Sequence, residues 1–321
     1  MVAVADAIAE LETEHAELES LLRSLSPDQW RAQTPAELWD VRAQVAHLAD
    51  TNEICIDTIG GGPRPLNGTA LSYGSPEAFT ASGVDRARTM SDDELLDWWV
   101  TSAAGTREAI NDTDPRARIP WGLGMSPPMM ATARLMEHWA HGCDIRAAIG
   151  APFSKTVRLK SVSFLTLRAV PYALGYAKVD PPPGTLRAEL THDGEVWPFG
   201  PDDADNLITG DAFEFCRLGI RRITRAQCET LKAHGQLAEA ALDNLRAFLE
   251  RYSWSRYAST VKSGIGKKSN SGTRSHPMRL YISRATSIRC VVCNARTGAP
   301  SARARAMHSS VSNRPIPLPR A

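Results

Sequence analysis

Four helical segments separated by strong chain breakers fill the first 150 residues, and this succession constrains the fold more than any other feature of the chain. From Val4 to Leu25, apolar Val4, Ile8, Leu11, Leu18 and Leu22 recur at helical spacing with acids between them, which predicts an amphipathic helix ended by Ser26-Pro27-Asp28. Asp40 stands where it can cap a second helix, which runs through Val41, Val45, Leu48 and Cys55 to about Ile59 and carries His47. Gly60-Gly-Gly-Pro-Arg-Pro65 breaks the pattern, and a loop-rich stretch follows to about Met90, with room for a short helix after Ser75-Pro76-Glu77. Ser91-Asp-Asp-Glu94 reads as a capping box that opens a third helix to about Asp112. Ser126-Pro127-Pro128 opens a fourth, and Gly150 stops it. Residues 1–150 are therefore expected to form a four-helix bundle, an architecture in which facing helices build metal sites.

The texture changes after Gly150. A helix around Val157–Leu174 precedes the Asp180-Pro-Pro-Pro-Gly184 break. Leu186–Leu190 and Glu195–Phe199 alternate around Asp193-Gly194, a hairpin signal, and Asn206–Thr209 suits a third strand. Asp211–Ile220 and Leu237–Leu249 read as helices, so residues 151–252 are expected to form a small α+β domain. Residues 253–321 form a basic tail. From about Lys262 periodicity gives way to Ser, Arg, Gly and Pro, which predicts disorder. The expected fold class is mainly α: bundle, small α+β domain, tail.

Charge divides the chain in the same way. Of the 37 Lys and Arg, 14 lie from Arg251 onward with no acid among them, so residues 1–250 carry 23 bases against all 36 acids, a net of −13. The overall +1 hides an acidic body, which argues against nucleic acid as its partner. No apolar run approaches the ~20 residues of a membrane span, and the acid-bearing N-terminus does not read as a signal peptide. Six scattered cysteines fit a reduced cytoplasm. Cys290-Val-Val-Cys293 lacks a second pair for a zinc knuckle, and no HExxH helix is present, which excludes that class of metalloprotease.

The chemistry concentrates in Ala133-Arg-Leu-Met-Glu-His-Trp-Ala-His141. Glu137 and His141 lie four apart, one turn above each other on a helix, where a carboxylate and an imidazole can reach one divalent cation. His47, from the second helix, would complete a two-His, one-carboxylate set with coordination positions left open, the arrangement of a catalytic rather than a structural zinc site. Zinc suits such a set first; iron(II) suits it too, and nickel or manganese remain open. The plain alternatives are an exposed i,i+4 pair for Glu137 and His141 and a core histidine for His47. Asp144 is placed to orient a ligand imidazole or to pair with Arg146, while His138 points about 100° away from Glu137 and stays off the site. Cys143 reads as packing. Arg221 and Arg222 could reach across to a substrate carboxylate or simply end a helix in solvent.

Trp39-Asp-Val-Arg-Ala-Gln-Val-Ala-His47-Leu-Ala together with Ala133-Arg-Leu-Met-Glu137-His-Trp-Ala-His141-Gly-Cys-Asp144 resembles the DinB/YfiT-like metalloenzymes, in the actinobacterial branch related to mycothiol-dependent maleylpyruvate isomerase. The resemblance covers roughly residues 1–250, since Gly194, Trp197, Gly200-Pro201, Thr209-Gly210, Phe215 and Arg221-Arg222 are similar to the small second domain of that branch. It implies metal ligation by His47, Glu137 and His141. It also implies zinc and a mycothiol-type low-molecular-weight thiol as co-substrate, with transfer or isomerisation of a small electrophilic substrate. The alternative is a non-catalytic metal or thiol sensor. A tRNA-modifying role, suggested by a label on some relatives, conflicts with the acidic body.

Overall fold

Side-chain caps from Ser26, Asp40, Ser75, Ser91 and Asp211 set the starts of five helices. The structure is a computed structural model that describes residues 3–73, 75–122 and 124–247, all within one compact unit. Helix α1 spans Val4–Arg23. A single turn, α2 (Pro27–Trp30), follows, where Ser26 and Gln29 cap each other reciprocally. In α3 (Val41–Gly60) the Asp40 carboxylate accepts from the Ala43 N–H at 2.8 Å, and Gly61, at φ 71°, ends the helix. Helix α4 spans Leu66–Ser72 and α5 spans Pro76–Arg86, the latter capped by Ser75. The Ser91/Glu94 capping box opens α6 (Asp92–Asn111), and α7 (Pro127–Ile149) ends at Gly150 in the left-handed region.

Among the described residues the four expected long helices before Gly150 are joined by three shorter ones, α2, α4 and α5. The loop-rich stretch between Gly60 and Met90 holds α4 and α5, and α5 lies along α3. At Gly83 an added Cβ would stand 2.6 Å from the Asp50 Cβ and 3.0 Å from the Ala46 carbonyl, so only glycine permits this close approach. The four long helices α1, α3, α6 and α7 pack on one another, α3 chiefly against α6 and α1 chiefly against α7.

The second half begins with α8 (Leu159–Arg168) and α9 (Val170–Ala177). One helix was expected here; Pro171, which has no N–H to donate, restarts the chain as the second residue of α9. Strands β1 (Leu186–His192) and β2 (Glu195–Phe199) form the expected hairpin. Its turn residues Asp193 and Gly194 have φ of 47° and 84°, as a tight hairpin turn requires. Strand β3 (Asn206–Asp211) runs parallel to β1 from Leu186↔Asn206 to Thr191↔Asp211 and leads into α10 (Ala212–Gly219). A short β4 (Lys232–His234), not foreseen, completes the sheet order β2-β1-β3-β4, and α11 spans Gln236–Asn244. Pro198 sits on β2, an edge strand, where its missing N–H costs no ladder bond.

One hydrophobic core joins the two halves: Leu11, Met130, Leu135 and Trp139 of α1 and α7 are continuous with Leu159, Val162, Leu190 and Phe215. A second core, with Leu48, Leu95 and Trp99, lies between α3 and α6. Helix α7 is thus buried on both sides, which explains its nearly uniform burial from Met130 to Arg146. No helix among the described residues is long and apolar enough to cross a membrane. The tail 253–321, with Cys290 and Cys293, lies outside the described residues.

Candidate metal centre

Where α3 and α7 face each other, the structure brings His47, Glu137 and His141 together. One ligand atom from each lies within 4.8 Å of the other two. His47 Nε2 is 3.3 Å from Glu137 Oε1, and the two imidazole centroids are 4.9 Å apart. His47 is 1% and His141 3% exposed, whereas the Glu137 side chain, at 12%, gives the cluster its edge towards solvent. Trp39 roofs the imidazoles, with its ring 5.0 Å from His47 and stacked 6.2 Å from His141.

Protonation states favour cation binding. Burial opposes ionisation of Glu137, but the Arg134 guanidinium and the His47 imidazole outweigh it and hold the carboxyl at about 2. Burial, then the neighbouring His47 and Arg222, keep His141 well below the usual imidazole value, so it stays neutral with a lone pair to offer. Arg134 is itself anchored. It pairs with Glu137 and donates to Thr51 Oγ1 at 3.1 Å and Asn52 Oδ1 at 2.7 Å, both on α3. His138 turns away, with Nδ1 on the Arg134 carbonyl at 2.8 Å and its ring 4.2 Å from His15. Two imidazoles and an ionised carboxylate, converging at the largely buried seam of α3 and α7, fit a divalent cation of the zinc or iron(II) class.

The outer partners differ from the sequence reading. Asp144 Oδ2 is 3.9 Å from His141 Nδ1, too far for a hydrogen bond. The group that meets His141 Nδ1 is the Gln44 side-chain carbonyl. Asp144, fully buried, is gripped in a bidentate ion pair by Arg222 of the second half, with Nε to Oδ1 at 2.9 Å. The carboxylate that Arg222 holds is therefore the protein's own rather than a substrate's, and Arg146 pairs with Glu17 rather than Asp144. Arg221, half-buried beside Arg222, has a left-handed backbone at φ 62°. Gln44 lies one turn before His47 on the same face, a spacing the sequence displays but an amide does not advertise. A separate cleft of about 430 Å³ on the other face of α3 is lined by Glu53, Asp57, Arg64 and Arg86, whose charges pair among themselves and with Asp50.

Residues 11–146 match the family model described as the mycothiol maleylpyruvate isomerase N-terminal domain. An uncharacterized protein of Mycobacterium tuberculosis strain H37Rv is 32% identical over 243 residues, 75% of this chain and 94% of that protein, and one from strain CDC 1551 / Oshkosh matches equally. The chain belongs to this family. Crystal structures of the mycothiol-dependent maleylpyruvate isomerase, and of a histidine-to-alanine mutant of it, superpose with a TM-score of 0.50 at 15% identity, over 72% of this chain and 93% of theirs. At that identity the family member and the solved isomerase share a fold. His47, Glu137 and His141, carried by helices α3 and α7, all lie inside the matched family domain.

Proposed function

We propose that this protein is a divalent-metal enzyme, with zinc the preferred ion, that joins a mycothiol-type thiol to a small electrophilic substrate as a transferase or isomerase. The observation that carries this reading is the convergence of His47, ionised Glu137 and neutral His141 on one point. A cation held there supplies Lewis acidity, lowering the pKa of a thiol or water in an open position toward ~7.

The chain's own thiols do not compete for the role of nucleophile. Cys55, Cys143 and Cys216 are buried, and burial pushes each thiol up, to about 12 for Cys55 and Cys216. Half-buried Cys228 is raised as well. None of the described cysteines is an activated thiolate, so the sulfur must arrive with a co-substrate. Family membership points the same way, since the family model bears the name of a mycothiol-using isomerase. Trp39 shields the imidazoles from water, and Arg134 keeps Glu137 charged and oriented. In the addition step the thiolate sulfur bonds to the electrophilic carbon and the double-bond pair moves into the substrate; expelling the thiolate returns that pair and completes an isomerisation. Arg222 is committed to Asp144, which leaves Arg221 as the second-half position proposed for an anionic substrate group.

The test is consumption of mycothiol, with cysteine as control thiol, over a panel of activated alkenes including maleylpyruvate. Steady turnover by the zinc-loaded protein supports the reading. Stoichiometric thiol binding without turnover on any member of the panel would replace it with the sensor.

A further inference from the structure

His141 can ligate a cation through only one nitrogen, and the hydrogen bonds around its other nitrogen have a fixed direction. Thr34 Oγ1 lies 2.6 Å from the Trp39 carbonyl oxygen. Two oxygens that close must share a hydrogen, and only the hydroxyl has one, so Thr34 donates. With its proton committed, Thr34 Oγ1 accepts from Gln44 Nε2 at 2.8 Å. That contact orients the Gln44 amide, with nitrogen toward Thr34 and carbonyl oxygen toward His141 Nδ1. The reversed amide would set its oxygen against Thr34 Oγ1 at 2.8 Å with no hydrogen between them. A carbonyl oxygen only accepts, so His141 Nδ1 must carry the proton.

We infer that Thr34 and Gln44 are positioning residues that hold His141 in the Nδ1-protonated tautomer and thereby aim the Nε2 lone pair at the cation. This rests on the reading of His47, Glu137 and His141 as ligands. Gln44 is wholly buried and Thr34 2% exposed, so water does not stand in for either partner. The bridge Gln33↔Asp40 closes the loop that carries Thr34 and Trp39, and the Gln33 amide adds a 2.8 Å bond to the same Trp39 carbonyl. One loop thus roofs the imidazoles with Trp39 and sets the tautomer of His141. Neutral imidazole in water favours the opposite tautomer, so this control has something to overcome. Outer partners of this kind are typically worth 10- to 100-fold in metal affinity.

The experiment uses the full-length protein, metal-free, in long-range ¹H–¹⁵N spectra, with His141 assigned by loss of its signals in His141→Ala, beside zinc affinity by chelator competition. Wild type is expected to show His141 neutral and protonated at Nδ1. Gln44→Leu is expected to move the proton to Nε2 and weaken zinc about 10- to 100-fold. Gln44→Glu, whose carboxylate accepts from His141 Nδ1 with one oxygen and takes the Thr34 hydroxyl proton from the Trp39 carbonyl with the other, is expected to keep Nδ1 protonated, which mere packing would not give. An Nε2-protonated His141 in wild type overturns the inference, as does a folded Gln44→Leu variant that binds zinc like wild type. Should Gln44→Leu fail to fold, the wild-type spectrum and Gln44→Glu still decide. If wild type binds no zinc at all, the proposed function falls, while the spectrum alone still settles the tautomer.

Discussion

Arg222→Ala is expected to destabilise the protein by about 3–5 kcal/mol, because it strips the bidentate guanidinium partner from a carboxylate with no exposure to solvent. Asp144 sits on α7 one turn from His141, and Arg222 follows α10, so this ion pair ties the α+β half to the helix that carries Glu137 and His141. Truncating either partner leaves a buried, uncompensated charge, whose cost far exceeds the net worth of the intact pair. Neutralising both should therefore restore most of the loss: Asp144→Asn with Arg222→Met is expected to lie within about 1–2 kcal/mol of wild type. Urea unfolding of wild type, Arg222→Ala and the double variant measures this directly. A single variant as stable as wild type would mean that the ion pair does not hold the two halves together.

Glu137→Gln is the second large effect, and its signature is pH. In the folded protein the Glu137 carboxyl is held at about 2, against 4.5 for the free group, chiefly by Arg134 and His47 working against burial. A depressed carboxyl stabilises the folded state fully above the unfolded value, and that contribution disappears as pH falls toward the folded one. The difference corresponds to roughly 3 kcal/mol. Metal-free Glu137→Gln is therefore expected to be less stable than wild type by about that amount at pH 7, with the gap closing between about pH 4.5 and 2. Urea midpoints at pH 7 and pH 3 check it; a gap that stays constant with pH would show that Glu137 is not held ionised by its neighbours. The same variant is expected to lose turnover, since the amide withdraws the one anionic ligand of the set.

Much of this architecture is legible in local chemistry. Asp40, Ser75 and Ser91 announce helix starts, Gly150 announces an end, and the spacing of Glu137 and His141 announces a shared face. What is hidden is hidden for physical reasons. The Gly- and Pro-rich stretch after Gly60 reads as loop up to Ser75 because α4 is short and packs on α3 and α5 rather than showing long periodicity. Strand β4 has three residues, Lys-Ala-His, too few to alternate. Gln44 meets His141 97 residues away, and Asp144 meets Arg222 78 residues away. Neither partnership has a local signal, so residue types and spacing bring His47, Glu137 and His141 forward while the partners around them stay hidden.

The most direct test of the account is the zinc content of the purified full-length protein, wild type beside His47→Ala, after equilibration with zinc and removal of excess. Close to one zinc per chain in wild type, lost in the variant, is the expected result. A variant that keeps stoichiometric zinc would remove His47 from the site, and a wild type that binds none would contradict the metal-dependent chemistry altogether.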